Sequence, residues 1–120
     1  MDKANKGYRN LIAWQFANKL AHEIYDATAD FPKQEVFSLT SQMKRAAVSV
    51  PANIAEGYMR KSQKEKRRFY NISLGSLTEL EYYIDFAFER SYYKNTIYNK
   101  LSALQTETAK ILTGLTKSLK

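Results

Sequence analysis

The amino-acid sequence predicts an all-α protein, an antiparallel up-down-up-down four-helix bundle forming one domain over residues 1–120. Three observations carry that expectation. Four segments place apolar residues three and four apart, no segment sustains the two-residue alternation of a half-buried strand, and the stretches between the four segments are short. At 120 residues one core is expected, burying roughly 65% of the surface that the unfolded chain exposes. Only 4 Gly and 2 Pro, with 44% apolar residues, exclude disordered and collagen-like classes.

The first helix is expected over roughly residues 10–31. Ala13, Phe16, Leu20, Ile24, Ala27 and Phe31 share one face, and Phe31-Pro32 ends it because a residue before proline avoids the α region. The second, roughly 38–57, aligns Leu39, Met43, Ala46 or Ala47, Val50, Ile54 and Tyr58. Pro51 removes one backbone donor and crowds the carbonyl four residues back. Because the apolar stripe keeps its phase across Pro51, one kinked helix is preferred to two, with Gly57 as its stop.

The third helix, roughly 62–91, opens on Ser62 and Glu65, the S-x-x-E spacing of a capping box. Tyr70, Ser73, Leu77, Leu80, Ile84 and Ala87 form its seam. Ser73, Gly75 and Ser76 within it are either tolerated surface positions or the close approach of a neighbouring helix. The fourth, roughly 94–118, places Ile97, Leu101, Leu104, Thr108, Ile111 and Leu115 on one line, which calls for an antiparallel partner. Tyr82, Tyr83, Phe86, Phe88, Tyr92 and Tyr93 are too many for one narrow core, so some are expected outside, as in a subunit interface of a homo-oligomer.

The residue inventory is poor in chemistry. With no cysteine and a single histidine, a disulfide framework, a thiolate metal site, a cysteine nucleophile and a His-rich cage are absent. Glu79, Glu81, Asp85 and Glu89 form an acidic stripe that lacks the E-x-x-H pairs of di-metal bundles. His22 reads as a surface or edge residue. Glu56 falls beside the apolar stripe, where partial burial and a pairing with Arg45 are expected. No phosphate loop or nucleophile elbow occurs, so no enzyme, cofactor or metal is expected. No apolar run approaches the about 18 residues of a membrane span, and Met1-Asp2-Lys3 opens no signal sequence. A cytoplasmic protein without membrane contact is the expectation.

Charge is the informative feature. The net charge is +7, from 19 basic and 12 acidic residues, yet residues 1–59 and 69–120 are each close to neutral. Between them, Arg60-Lys61-Ser62-Gln63-Lys64-Glu65-Lys66-Arg67-Arg68 holds six cations and one carboxylate. Cations in a first helical turn face the positive end of the helix dipole, at a cost of about 0.3–1 kcal/mol each. Helix stability therefore does not account for Lys64, Lys66 and Arg67. A helix N-terminus ringed by Arg60, Lys61, Lys64, Arg67 and Arg68 suits phosphate, with Tyr58, Phe69 and Tyr70 at its flank, although Phe69 and Tyr70 also suit the core. RNA or DNA is the expected partner; an acidic protein partner, or a merely solubilising face, is the alternative.

Several blocks taken together, LIAWQ at 11–15, Phe31-Pro32, LTSQMKRAAVSVPANIAEG at 39–57 and LGSLTEL at 74–80, resemble the four-helix-bundle family of proteins encoded in intervening sequences of 23S rRNA genes, also called the S23 ribosomal protein family. The likeness spans nearly the whole chain. It implies a bacterial cytosolic bundle assembled into a ring, often a pentamer, and kinship with the accessory variability protein of diversity-generating retroelements, which binds nucleic acid and a reverse transcriptase. A nucleic-acid-processing protein is thus an implied partner. The resemblance carries over the block from Arg45 through Glu56-Gly57 as structural and Arg60 and Lys61 as basic positions. Phe16 departs from the family's lysine, and Met59 and Ser38 from its glycines.

Overall fold

The computed structural model describes residues 7–120, so the reading at Met1-Asp2-Lys3 lies outside the described residues. Four helices follow one another: α1 (Ile12–Thr28), α2 (Leu39–Met59), α3 (Gln63–Glu89) and α4 (Asn95–Lys117), with short 3-10 turns at Gly7–Asn10 and Lys33–Glu35. Each packs against its chain neighbours and α4 returns against α1, which closes the bundle. The described residues hold no strand. Side chains of all four helices meet on the bundle axis, where Leu20, Ile24, Met43, Val50, Ile54, Leu77, Leu80, Ile84, Leu101 and Leu112 are sealed from water.

Helix α1 stops earlier than the proline signal suggests. Thr28 turns its hydroxyl back on the Ile24 carbonyl at 2.9 Å, and the chain leaves the helix there. Phe31 lies beyond it, with ring centroids 5.1 and 5.7 Å from Tyr92 and Tyr93, so this aromatic group closes one end of the bundle. Tyr93 is buried and donates to the Ile84 carbonyl at 2.6 Å. Burial pushes its phenol well above the usual tyrosine range. Of the six aromatics in that region only Tyr82 is exposed; Tyr83, Phe86, Phe88 and Tyr92 are half-buried.

Helix α2 is one unbroken helix through Pro51, and it runs past Gly57 to Met59. Gly57 is buried and not a helix stop. Around the proline, α2 and α3 approach through small polar residues. Ser73 donates to the Val50 carbonyl at 2.8 Å, the Ser49 and Ser76 hydroxyls are 2.8 Å apart, and Asn53 Nδ2 donates to the Ser49 carbonyl at 2.8 Å. Ser73 and Ser76 thus mark the close approach of a neighbouring helix, whereas Gly75 faces open space. Such polar contacts keep their groups satisfied inside a packed seam.

The α4 seam is turned relative to the expected line. Leu101, Gln105, Thr108 and Leu112 are the buried positions; Leu104, Ile111 and Leu115 are half-buried and Ile97 is exposed. A pattern of apolar residues alone misses this because Gln105 is polar. Its amide donates to the Leu77 carbonyl at 3.0 Å, which removes the desolvation penalty of a buried amide.

Helix α3 ends in a Schellman turn. Ser91 takes φ 63°, its amide donates to the Phe88 carbonyl and that of Tyr92 to the Ala87 carbonyl. At the facing corner, Glu35 fixes the α1–α2 connection: Ser38 Oγ donates to its Oε1 at 2.6 Å and Tyr92 Oη to its Oε2 at 2.6 Å. The Ser38 and Tyr92 hydrogen bonds hold this carboxyl below the ordinary glutamate value of 4.5, against a smaller opposing effect of burial. A depressed folded-state pKa stabilises above the unfolded value, and that stabilisation is lost as pH falls through the folded value. The stability difference between wild type and Glu35→Gln, followed by urea unfolding, is therefore expected to be constant near neutrality and to shrink below about pH 4.5. A difference unchanged down to pH 3 contradicts this account of Glu35.

Candidate nucleic-acid interface

The basic segment forms the turn from α2 into α3. Met59 ends α2, Arg60 and Lys61 cross the gap, and Ser62 caps α3 by accepting from the Glu65 amide at 3.0 Å. The reciprocal half of a capping box is replaced: the Glu65 carboxylate lies 3.4 Å from Arg68 Nη1. Cap and dipole together fix where the cations of the first turn project.

The five expected residues fall into three groups. Lys61 and Lys64 are exposed with no ion-pair partner among the described residues. Arg60 and Arg68 both stand over the half-buried Phe69 ring, their guanidinium carbons 4.8 and 5.0 Å from its centroid. Each also meets one carboxylate, Arg60 with Glu56 at 3.0 Å and Arg68 with Glu65 at 3.4 Å. Arg67 turns away: half-buried, it donates to the Leu119 carbonyl at 3.3 Å and secures the chain after α4. The helical ridge expected of Lys64, Arg67 and Arg68 is therefore broken at Arg67, because the antiparallel α4 offers that guanidinium an acceptor. Glu56 is corrected as well, since it is exposed and pairs with Arg60, not Arg45.

Both ion pairs are well exposed, with side chains 44–59% accessible. Pairs of this kind contribute about 0–1 kcal/mol, too little to hold a guanidinium against a phosphate. Phe69 adds stiffness by aligning Arg60 and Arg68 through cation–π contact. Tyr70 is buried in the core, while Tyr58 stays at the rim beneath Lys66.

Lys66 of the same segment is drawn back onto α2, and two further groups reach this end only through the fold. Lys66 Nζ donates to the Tyr58 carbonyl at 2.7 Å and lies 5.4 Å from the Tyr58 ring centroid. The last turn of α4 brings Lys117 to the same end, followed by Lys120. Gly7 lies against Tyr58, which places Arg9 at this end too, its guanidinium 4.8 Å from the Trp14 ring centroid. The opposite end carries Asp26, Asp30, Glu35, Asp85 and Glu89 at the α1–α2 and α3–α4 corners, beside Lys33, Arg90 and Lys94. The bundle is electrically polarised along its length. No signal short of the antiparallel topology reveals this.

The other candidates stay apart. Glu79 accepts from Tyr83 at 3.0 Å and Asp85 from Tyr98 at 2.8 Å. Glu81 and Glu89 are solvated, and His22 is exposed on α1. Among the described residues no three His, Asp or Glu side chains group to hold a metal ion, and no helix is long and apolar enough to cross a membrane.

Known proteins match this chain in two ways. The family model described as 23S rRNA-intervening sequence protein matches residues 9–114. A crystal structure of a protein of unknown function from the S23 ribosomal protein family of Bacteroides thetaiotaomicron superposes with a TM-score of 0.81 at 23% identity, over 89% of this chain and 96% of that one. That is a likeness of fold. None of the curated proteins matches the chain.

Proposed function

Given that the chain belongs to the 23S rRNA-intervening sequence protein family, we propose that it is a non-enzymatic, homo-oligomeric bundle that presents its basic end to nucleic acid, structured RNA above all. The observation that carries this reading is the segregation of charge: the α2–α3 turn, the start of the described chain and the end of α4 bring their cations to one end. A helix N-terminus lies among them, and only weak, exposed ion pairs compete for the guanidinium groups of Arg60 and Arg68. Phosphate and shape dominate such binding, because no base-reading motif accompanies the cations.

The test is binding of an RNA hairpin as a function of salt. Lys61→Glu combined with Lys64→Glu changes two exposed side chains that hold nothing in the fold. Relative to wild type, the double variant is expected to weaken binding and to flatten the dependence of log K on log salt. The slope falls by about 0.7–0.9 for each phosphate that a protomer no longer neutralises. Equal affinity and equal slope would count against the basic end as the binding surface and favour an acidic protein as its partner.

A further inference from the structure

A protruding aromatic and an apolar groove lie on different faces of the same chain. Phe37 is 96% exposed, the most solvated large apolar side chain among the described residues, with Val36 and Tyr82 exposed nearby. It does not dangle. The hydrogen bonds from Ser38 and Tyr92 to Glu35 hold the turn that carries it, so covering the ring costs the rotamer freedom of one side chain and not the ordering of a loop. The carboxylates of Glu35 and Glu79 flank this aromatic face, Glu79 through its bond to Tyr83.

The groove runs between α1 and α2 with a volume of about 400 Å³, walled by Trp14, Tyr25, Val48, Pro51 and Ala52. A cation stands at each end: the Arg9 guanidinium over Trp14 at 4.8 Å and Lys44 Nζ 4.9 Å from the Tyr25 ring. Phe37 belongs to the corner before α2 and borders the α2–α3 side, so it cannot reach the α1–α2 groove of its own chain.

We propose that the groove receives Phe37 of a second copy, the acidic rim of the one facing the cationic ends of the other. The contact is head-to-tail, because donor and acceptor surfaces differ; every copy gives one aromatic and accepts one, and a closed ring leaves neither surface bare. This rests on the homo-oligomer of the proposed function and adds to it the residues and the polarity of the interface.

Phe37→Glu and Ala52→Glu alter exposed positions, so both variants are expected to keep the wild-type circular dichroism and a cooperative unfolding transition, with a midpoint lower only by the stabilisation that assembly adds. By light scattering after gel filtration, wild type is expected to be a multimer and each variant alone a monomer. Mixed, the two are expected to stop at a dimer, since only the intact aromatic of the Ala52→Glu copy can enter the intact groove of the Phe37→Glu copy. A wild-type multimer that survives both substitutions, or a mixture that stays monomeric, overturns this contact while leaving the homo-oligomer standing. A monomeric wild type overturns both, and the hairpin measurement separately decides the role of the basic end.

Discussion

Replacing Leu112 by alanine is expected to lower the unfolding free energy by about 2–5 kcal/mol, whereas the same truncation at Ile111 is expected to cost about 1 kcal/mol. Leu112 is 0% exposed on the bundle axis and Ile111 is half-buried at the edge of α4. The contrast matters because the periodicity of apolar residues puts Ile111 at the centre of the α4 seam. Removing Leu112 leaves a cavity among fixed neighbours, but the edge around Ile111 relaxes and admits water. Against a typical stability of about 5–15 kcal/mol the first loss is severe. Urea titration of both variants with a common slope measures it; equal costs would return Ile111 to the core.

Alanine is expected to act with opposite signs at different glycines. A Cβ on Gly57 falls 2.7 Å from Tyr70 Cε1, 2.9 Å from its Cδ1 and 3.1 Å from Phe69 Cβ. Tyr70 is 2% exposed and has nowhere to swing. Overpacking of this kind costs about 1–3 kcal/mol, which exceeds the about 1 kcal/mol gained in helix propensity. Gly57→Ala is therefore expected to destabilise by up to about 2 kcal/mol net. At Gly75, in the interior of α3, a Cβ meets nothing, so Gly75→Ala is expected to stabilise by up to about 1 kcal/mol. Thermal unfolding of the two variants beside wild type decides it. A stabilised Gly57→Ala protein would mean that α2 and α3 part easily at their basic end.

The two glycines also show where linear reading stops. Both interrupt helical patterns in the sequence, and only the approach of α3 to α2 separates a close contact from a tolerated surface position. Ser73 is legible as a small residue in a seam, but its bond to the Val50 carbonyl needs both helices in place. Gln105 is hidden from any hydrophobic template because its burial depends on a carbonyl contributed by α3. Glu35 carries no signal in the sequence, yet it ties together two corners that lie far apart along the chain. The basic residues are half legible: the segment is plain in the sequence, while only the fold shows that Lys61 and Lys64 have no ion-pair partner among the described residues and that Arg67 is withdrawn by the end of α4.

By itself the sequence determined the helical class, the number of helices, the persistence of α2 through Pro51, the cap at Ser62 and the concentration of positive charge at the α2–α3 turn. These depend on spacing and on residues within a few positions of one another. The tertiary structure decided the rotation of α4, the close approach at Gly57, the partners of Glu56 and Arg67, and the arrival of Arg9 and Lys117 at the end that carries the basic turn. Each requires groups from helices distant in sequence, and their separation is set only when the four apolar faces close on one axis.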